Sequence, residues 1–423
     1  MSPKLVFAFF LVEIWLTPLA VSTAGVAELP PDSENVVFAP SAQRKVIAMA
    51  MSVSRTVGYS GKWRTWQNNQ HNPDVRKPNG RRDIASVYYP SIGLYDTSDP
   101  DYIECACQLM HLAGIDAISF FTPDANDSWQ LQALSRWFEV MKRYGLTGMP
   151  RPQPKSSVKD LDALINVFQP VTFRYCGRPL LPFFNIDPDR LDALSKWKAA
   201  FTPESRPYLV KWLQQTCKPP FDGGFDWVGD ATHPQRQSAT RSGWKRYFDA
   251  QLAREGYDSD VARACKLIEQ GAMKVYIEGV NPGFDDSPVN GWGNGSHYIE
   301  RAGGETYRYR WNKAVEHGFA LACIPTWDDW GEGSMIEPTV EFGNLYLEIT
   351  REFTAKFKGK KPLSGNFDLP QWIYLIRKKS KDSAVLENLK LAVSLVEKDE
   401  WQAAEKRVFP LALQFNVVNR TYR

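Results

Sequence analysis

The run Ile324-Pro-Thr-Trp-Asp-Asp-Trp-Gly-Glu-Gly-Ser-Met-Ile-Glu337 places Asp329 and Glu332 three residues apart, with a tryptophan on either side of Asp329. Two carboxyl groups turned into one pocket are the usual equipment for hydrolysing a glycosidic bond, one supplying a proton and the other assisting the attacking oxygen. Spacing alone is equally compatible with a solvated acidic turn. The setting argues for chemistry, because Trp327 and Trp330 would desolvate the carboxyls while Gly331 and Gly333 permit close approach of backbone to a ligand.

Other segments carry side chains suited to a sugar, whose C–H faces stack on rings and whose hydroxyls need paired donors and acceptors. One long segment holds Trp63, Trp66, Asn68, Gln70, His71, Tyr88, Tyr89 and Tyr95, and another reads Asn281-Pro-Gly-Phe-Asp285-Asp286. With Glu278, Trp327, Asp328, Trp330 and Glu337, these supply the candidate sugar-binding residues. Most of the 15 tryptophans are expected to pack the core; Trp63, Trp66, Trp292, Trp327 and Trp330 stand out because they fall in expected loops. The five histidines are scattered and neither HExxH nor CxxC occurs, so no metal or cofactor is expected.

These loops need a scaffold. Short apolar runs alternate with segments of helical period: strands are expected at 45–52, 116–121, 146–151, 180–185, 225–229, 273–280, 319–324 and 371–376. Helices are expected at 101–113, 129–144, 158–168, 206–216, 259–270, 305–316, 341–357 and 384–397. Eight strands, each followed by helix, point to an α/β fold, a (β/α)8 TIM barrel with long βα loops, and such barrels place chemistry in the loops leaving the strand C-termini. A dinucleotide-binding fold would want a glycine fingerprint after an early strand, and none is present.

Of 423 residues, 43% are hydrophobic and 23% charged, which excludes disordered and collagen-like chains. A formal charge of +3 without long like-charge blocks gives no reason to expect nucleic acid as partner. Residues 1–27 read as a signal peptide, with Lys4 ahead of an apolar stretch and small residues at Ala24 and Ala27; a membrane anchor is the competing reading. The expected organisation is then an N-terminal extension at 28–44, a catalytic domain at 45–400 and a C-terminal extension at 401–423. A secreted or periplasmic location follows, with no membrane contact after cleavage and an oligosaccharide or polysaccharide as partner. Six cysteines permit up to three disulfides, although Cys323 within an apolar strand reads as core.

Trp327-Asp-Asp-Trp-Gly-Glu-Gly-Ser-Met-Ile-Glu-Pro338 resembles a pattern of glycoside hydrolase family 99, in which Asn-Glu-Trp-His-Glu-Gly-Thr precedes Ile-Glu-Pro, and the Trp-Asn-Asp-Tyr-Gly-Glu-Ser run of family 71. Tyr88-Tyr-Pro-Ser-Ile-Gly-Leu-Tyr-Asp-Thr-Ser-Asp-Pro100, Ala113-Gly-Ile-Asp-Ala117 and Gly304-Glu-Thr-Tyr307 are similar in a supporting way, as are related WbsX-like proteins. The resemblance implies a (β/α)8 glycosidase of an α-linked glycan, with Glu332 as proton donor and later base. Asp329 would be the partner that activates water or the substrate's own 2-hydroxyl. Three positions depart from family 99: Asp328 replaces Asn, Asp329 replaces Glu and Gly331 replaces His. A carbohydrate-binding protein on the same fold, or a WbsX-like role in polysaccharide assembly, are the alternatives.

Overall fold

A computed structural model describes residues 37–418 apart from 69, 123–127, 214–216, 229–244, 249 and 294–295. The segment 1–27 lies outside the described residues.

Eight parallel strands form the barrel: β1 (Lys45–Ala50), β2 (Ala117–Phe121), β3 (Thr147–Arg151), β4 (Arg178–Phe183), β5 (Tyr208–Trp212), β6 (Gly223–Phe225), β7 (Val275–Gly279) and β8 (Leu321–Pro325). Hydrogen-bonded neighbours run β3-β2-β1-β8-β7-β6-β5-β4. At the seam β3 and β4 pack side by side, and Gly148 bridges Thr172 instead. Alternate residues point inward: Ile47, Met49, Met149, Leu180, Val210, Phe225, Ile277, Leu321 and Cys323 belong to one buried interior cluster. Gly223 on β6 is required by crowding, since a Cβ there would lie 1.6 Å from the Val275 carbonyl oxygen.

Helices cover the outside: α1 (Pro100–Leu112), α2 (Ser128–Arg143), α3 (Val158–Phe168), α4 (Leu191–Ala199), α5 (Ala250–Glu269), α6 (Glu305–His317), α7 (Leu345–Lys358), α8 (Asp368–Lys379), α9 (Ser383–Val396) and α10 (Trp401–Gln414). Asp99 caps α1 by accepting from the Asp101 N–H at 3.1 Å, and Pro100 stands where no N–H is needed. Ser157 and Asp160 close a capping box on α3.

The expected strand count is met with different members. Residues 206–216, expected as helix, contain β5; Tyr208 and Val210 face the barrel while Leu209 packs under the helices, so both faces are apolar and the two-residue period vanishes. Residues 371–376, expected as strand, lie within α8, where every residue from Leu369 to Ile376 is buried and no polar face remains to reveal the helical period. α4 was not expected. The segment expected as a C-terminal extension forms α10, which buries Trp401, Ala404, Val408 and Ala412 against α8 and α9. All six cysteines are free.

Candidate active site

The inter-strand register aligns the strand C-termini on one rim: Met49 opposite Pro325, Ala50 opposite Phe120, and Phe121 opposite Arg151. The loop after β8 folds back over this rim. Its Trp327 N–H donates to the Met49 carbonyl at 2.8 Å, and Asp328 accepts from the Met51 and Ser52 N–H groups at 2.6 and 2.9 Å, tying β8 to β1. Asp328 is thus a buried structural acceptor, and burial still pushes its carboxyl up to about 6. On the far side Arg301 donates to the Gly333 and Met335 carbonyls, both at 2.8 Å, beneath the rings of Tyr88, Phe342 and Tyr346. Gly333 adopts φ +55°, and a Cβ there would come within 2.9 Å of the Asp285 carbonyl oxygen.

Within this loop the Glu332 N–H donates to Asp329 Oδ1 at 3.0 Å, and the Asp329 N–H donates to Thr326 Oγ1 at 3.0 Å. Asp329 is buried, whereas Glu332 keeps some exposure at the surface of the loop. Glu332 Oε1 accepts from Trp292 Nε1 at 3.0 Å, while its buried Oε2 has no hydrogen-bond partner. Desolvation, then the Asp329 charge, hold Glu332 well above the ordinary glutamate range, with the indoles of Trp292 and Trp227 pulling the other way. Burial also raises Asp329, to about 6, but the backbone N–H of Glu332 favours its ionised form. Both carboxyls are therefore raised, and the Glu332 N–H is the contact that favours ionised Asp329.

The structure brings Asp286 into electrostatic reach of Glu332, and Asp285 donates its N–H to the Glu332 carbonyl at 2.7 Å. Both aspartates have local tasks: Asp285 accepts from Ser287, and Asp286 accepts the His297 N–H at 2.5 Å, shaping the turn that presents Trp292. Trp292 is 66% exposed and packs over Gly331, its Cζ2 lying 3.5 Å from where a Cβ would be.

Several expected sugar contacts are corrected. Trp66, Trp327 and Trp330 are fully buried, so no ring face is open to stack on a sugar. Tyr95 is stacked on Tyr102 at 3.9 Å and both hydroxyls donate to Glu337, which also accepts from Trp330; Glu337 is a core carboxyl behind the loop. Glu278 alternates away from inward-facing Ile277 and is held by Tyr257 and by His317, whose Nδ1 lies 2.7 Å away under the helix layer. His71 pairs with Asp83 at 2.9 Å, and Trp63 donates to Asp74 at 2.9 Å, so these residues hold the long loop after β1 in shape. Tyr88 and Tyr89 are half-buried, their rings against the guanidinium groups of Arg301 and Arg81 respectively.

Residues outside the expected set stand on the rim. Phe184 and Trp227 meet edge to face at 4.4 Å beside Arg151, Trp212 lies 5.7 Å from Phe184, and all three pack on the barrel interior. Only strand register could have revealed them, as the aromatic residues that follow the inward-facing positions of β4, β5 and β6. Among the described residues no group of three or more His, Cys, Asp and Glu side chains could hold a metal ion.

The profile of glycosyl hydrolase family 99 matches residues 57–357. The glycoprotein endo-alpha-1,2-mannosidase of Rattus norvegicus is 25% identical over 378 residues, spanning 79% of this chain and 80% of that protein. The uncharacterized protein WxcX of Xanthomonas campestris pv. campestris (strain B100) is 26% identical over 248 residues, 54% of this chain and 33% of its own. In fold, the family 99 endo-alpha-mannosidase of Bacteroides thetaiotaomicron superposes with a TM-score of 0.57 at 17% identity, covering 74% of this chain and 97% of that one.

Proposed function

The chain belongs to glycosyl hydrolase family 99, and from that premise we propose that it cleaves an α-mannosidic linkage within a glycan, with Glu332 and Asp329 as the working pair. Glu332 protonates the departing oxygen and later acts as base. Asp329, ionised, activates the sugar's own 2-hydroxyl or a water. The observation that carries this reading is the pair itself: two acidic residues on the loop at the barrel rim, Asp329 accepting the Glu332 backbone N–H, Glu332 keeping a bare oxygen, and burial raising both carboxyls. The likeness to glycoprotein endo-alpha-1,2-mannosidases supports the choice of an α-mannosidic linkage.

Export belongs to the same proposal. Cleavage after Ala24 or Ala27 gives a mature chain beginning near Gly25 or Glu28, and N-terminal sequencing of exported protein checks it; retention of Leu5 to Val21 would indicate an anchor. The catalytic reading is tested by incubating the chain with α-1,2-linked manno-oligosaccharides and with α-1,3-glucan, then sizing the products. Internal cleavage of the mannoside is the expected result. Binding without release of reducing ends would instead make the protein a carbohydrate-binding member of the fold.

A further inference from the structure

Arg151 ends β3 on the inner side of the rim and is only 1% exposed. Its Nη2 donates to the Ala50 carbonyl at 3.2 Å and to Met51 Sδ at 3.4 Å, whereas Nε and Nη1 have no hydrogen-bond partner. The rings of Phe121, Phe184 and Trp227 stand 5.5, 5.2 and 5.4 Å from the guanidinium carbon. Ring contacts stabilise the charge but accept nothing from N–H groups lying in the guanidinium plane, so two donor nitrogens are desolvated without compensation. A bound ligand with oxygen acceptors would supply it.

We propose that Arg151 is a substrate-binding residue whose Nε and Nη1 donate to neutral hydroxyl oxygens of the sugar unit held at Asp329 and Glu332. The carboxyls of Asp329, Asp328 and Glu332 lie within electrostatic reach of the guanidinium. An anionic substituent brought there would meet three carboxyl groups, whereas a hydroxyl accepts from arginine without adding charge. The neighbouring rings of Phe184, Trp212 and Trp227 offer apolar surface for the C–H face of the same unit. Burial lowers the guanidinium only to about 10, so it remains a cation through the neutral range.

The inference rests on the glycosidase reading, and the test separates the two. Wild-type, Arg151→Lys and Arg151→Met chains are assayed on an α-1,2-linked manno-oligosaccharide and on its monodeoxy analogues. Arg151→Met should lose about 10-fold or more in kcat/KM, the scale of a hydrogen bond from a charged donor. One deoxy analogue should cost the wild type a similar factor and cost Arg151→Met nothing further, with Arg151→Lys in between. Equal sensitivity of wild type and Arg151→Met to every analogue overturns the assignment, and so does tighter binding of a sulfated analogue than of the neutral one. A wild type inert on the parent oligosaccharide overturns the glycosidase reading instead. Should neither variant fold, the Glu332→Gln chain labelled with 15N at arginine Nε is titrated with the parent oligosaccharide. A shift of the assigned Arg151 Nε resonance supports the proposal, and an unmoved resonance at saturation overturns it.

Discussion

Surroundings, not residue type, set Glu332 and Asp329 apart: Asp329 accepts the Glu332 backbone N–H, while one oxygen of Glu332 is buried bare. Trp292 modulates the second. Its indole favours ionised Glu332, so Trp292→Phe should raise the Glu332 pKa further and move the alkaline limb of kcat/KM to higher pH. Because the ring is largely exposed, stability should change by no more than about 0.5 kcal/mol; an unmoved alkaline limb would show that the contact does not tune the acid. Trp330→Ala should behave oppositely, costing about 3 to 5 kcal/mol in denaturant unfolding, because the buried ring packs on Trp66 and its N–H serves Tyr95 and Glu337. That Asp329 and Glu332 adjoin on one loop was legible from their spacing and glycine setting. Arg151, Phe184, Trp212 and Trp227 were not, since a side chain's inward direction depends on register that no local spacing encodes.

Among elements, the loop after β8, which bears the proposed pair, is held from three sides: by β1 through Asp328, by Arg301 through two carbonyls, and by the Asp285 N–H through the Glu332 carbonyl. Gly333→Ala would force a Cβ toward the Asp285 carbonyl at positive φ, so it should cost about 1 kcal/mol or more and lower kcat beyond what the loss of folded protein explains. Thermal melts and kinetics on the same preparation check this; an unaltered kcat would mean that the loop tolerates displacement. The barrel was legible where strands are flanked by strongly periodic helices, as at β1 to α3. It was misread at β5 and α8 for one reason: an element buried on all sides loses the alternation of apolar and polar residues that distinguishes strand from helix.

At the scale of the whole molecule, several carboxyls are buried with pKa values raised by desolvation: Asp226 to about 7, Asp328 and Asp329 to about 6, and Glu337 to about 8. For a carboxyl whose folded pKa exceeds its unfolded value, the folded chain binds the extra proton between the two. Stability from these groups is therefore fully present below about pH 4 and is lost as pH rises toward 8. Unfolding free energy should fall over that window, and Glu337→Gln, which keeps hydrogen-bonding capacity without a titrating proton, should flatten the upper part between about 4.5 and 8. A slope unchanged in Glu337→Gln would assign it to other groups.

Desolvation also raises the Glu332 carboxyl, and the proposed roles predict different substrate dependence for variants at Glu332 and at Asp329. Glu332→Gln removes leaving-group protonation, so it should abolish most activity on a natural α-mannosidic glycan yet retain far more of the glycosylation step on an aryl glycoside whose leaving group needs little help. Asp329→Asn removes activation of the attacking oxygen and should depress both substrates together. The decisive measurement is kcat/KM of both variants on both substrates: selective rescue of Glu332→Gln by the aryl glycoside, with none for Asp329→Asn, is the predicted result, and near-wild-type activity of either variant on the natural glycan would contradict it.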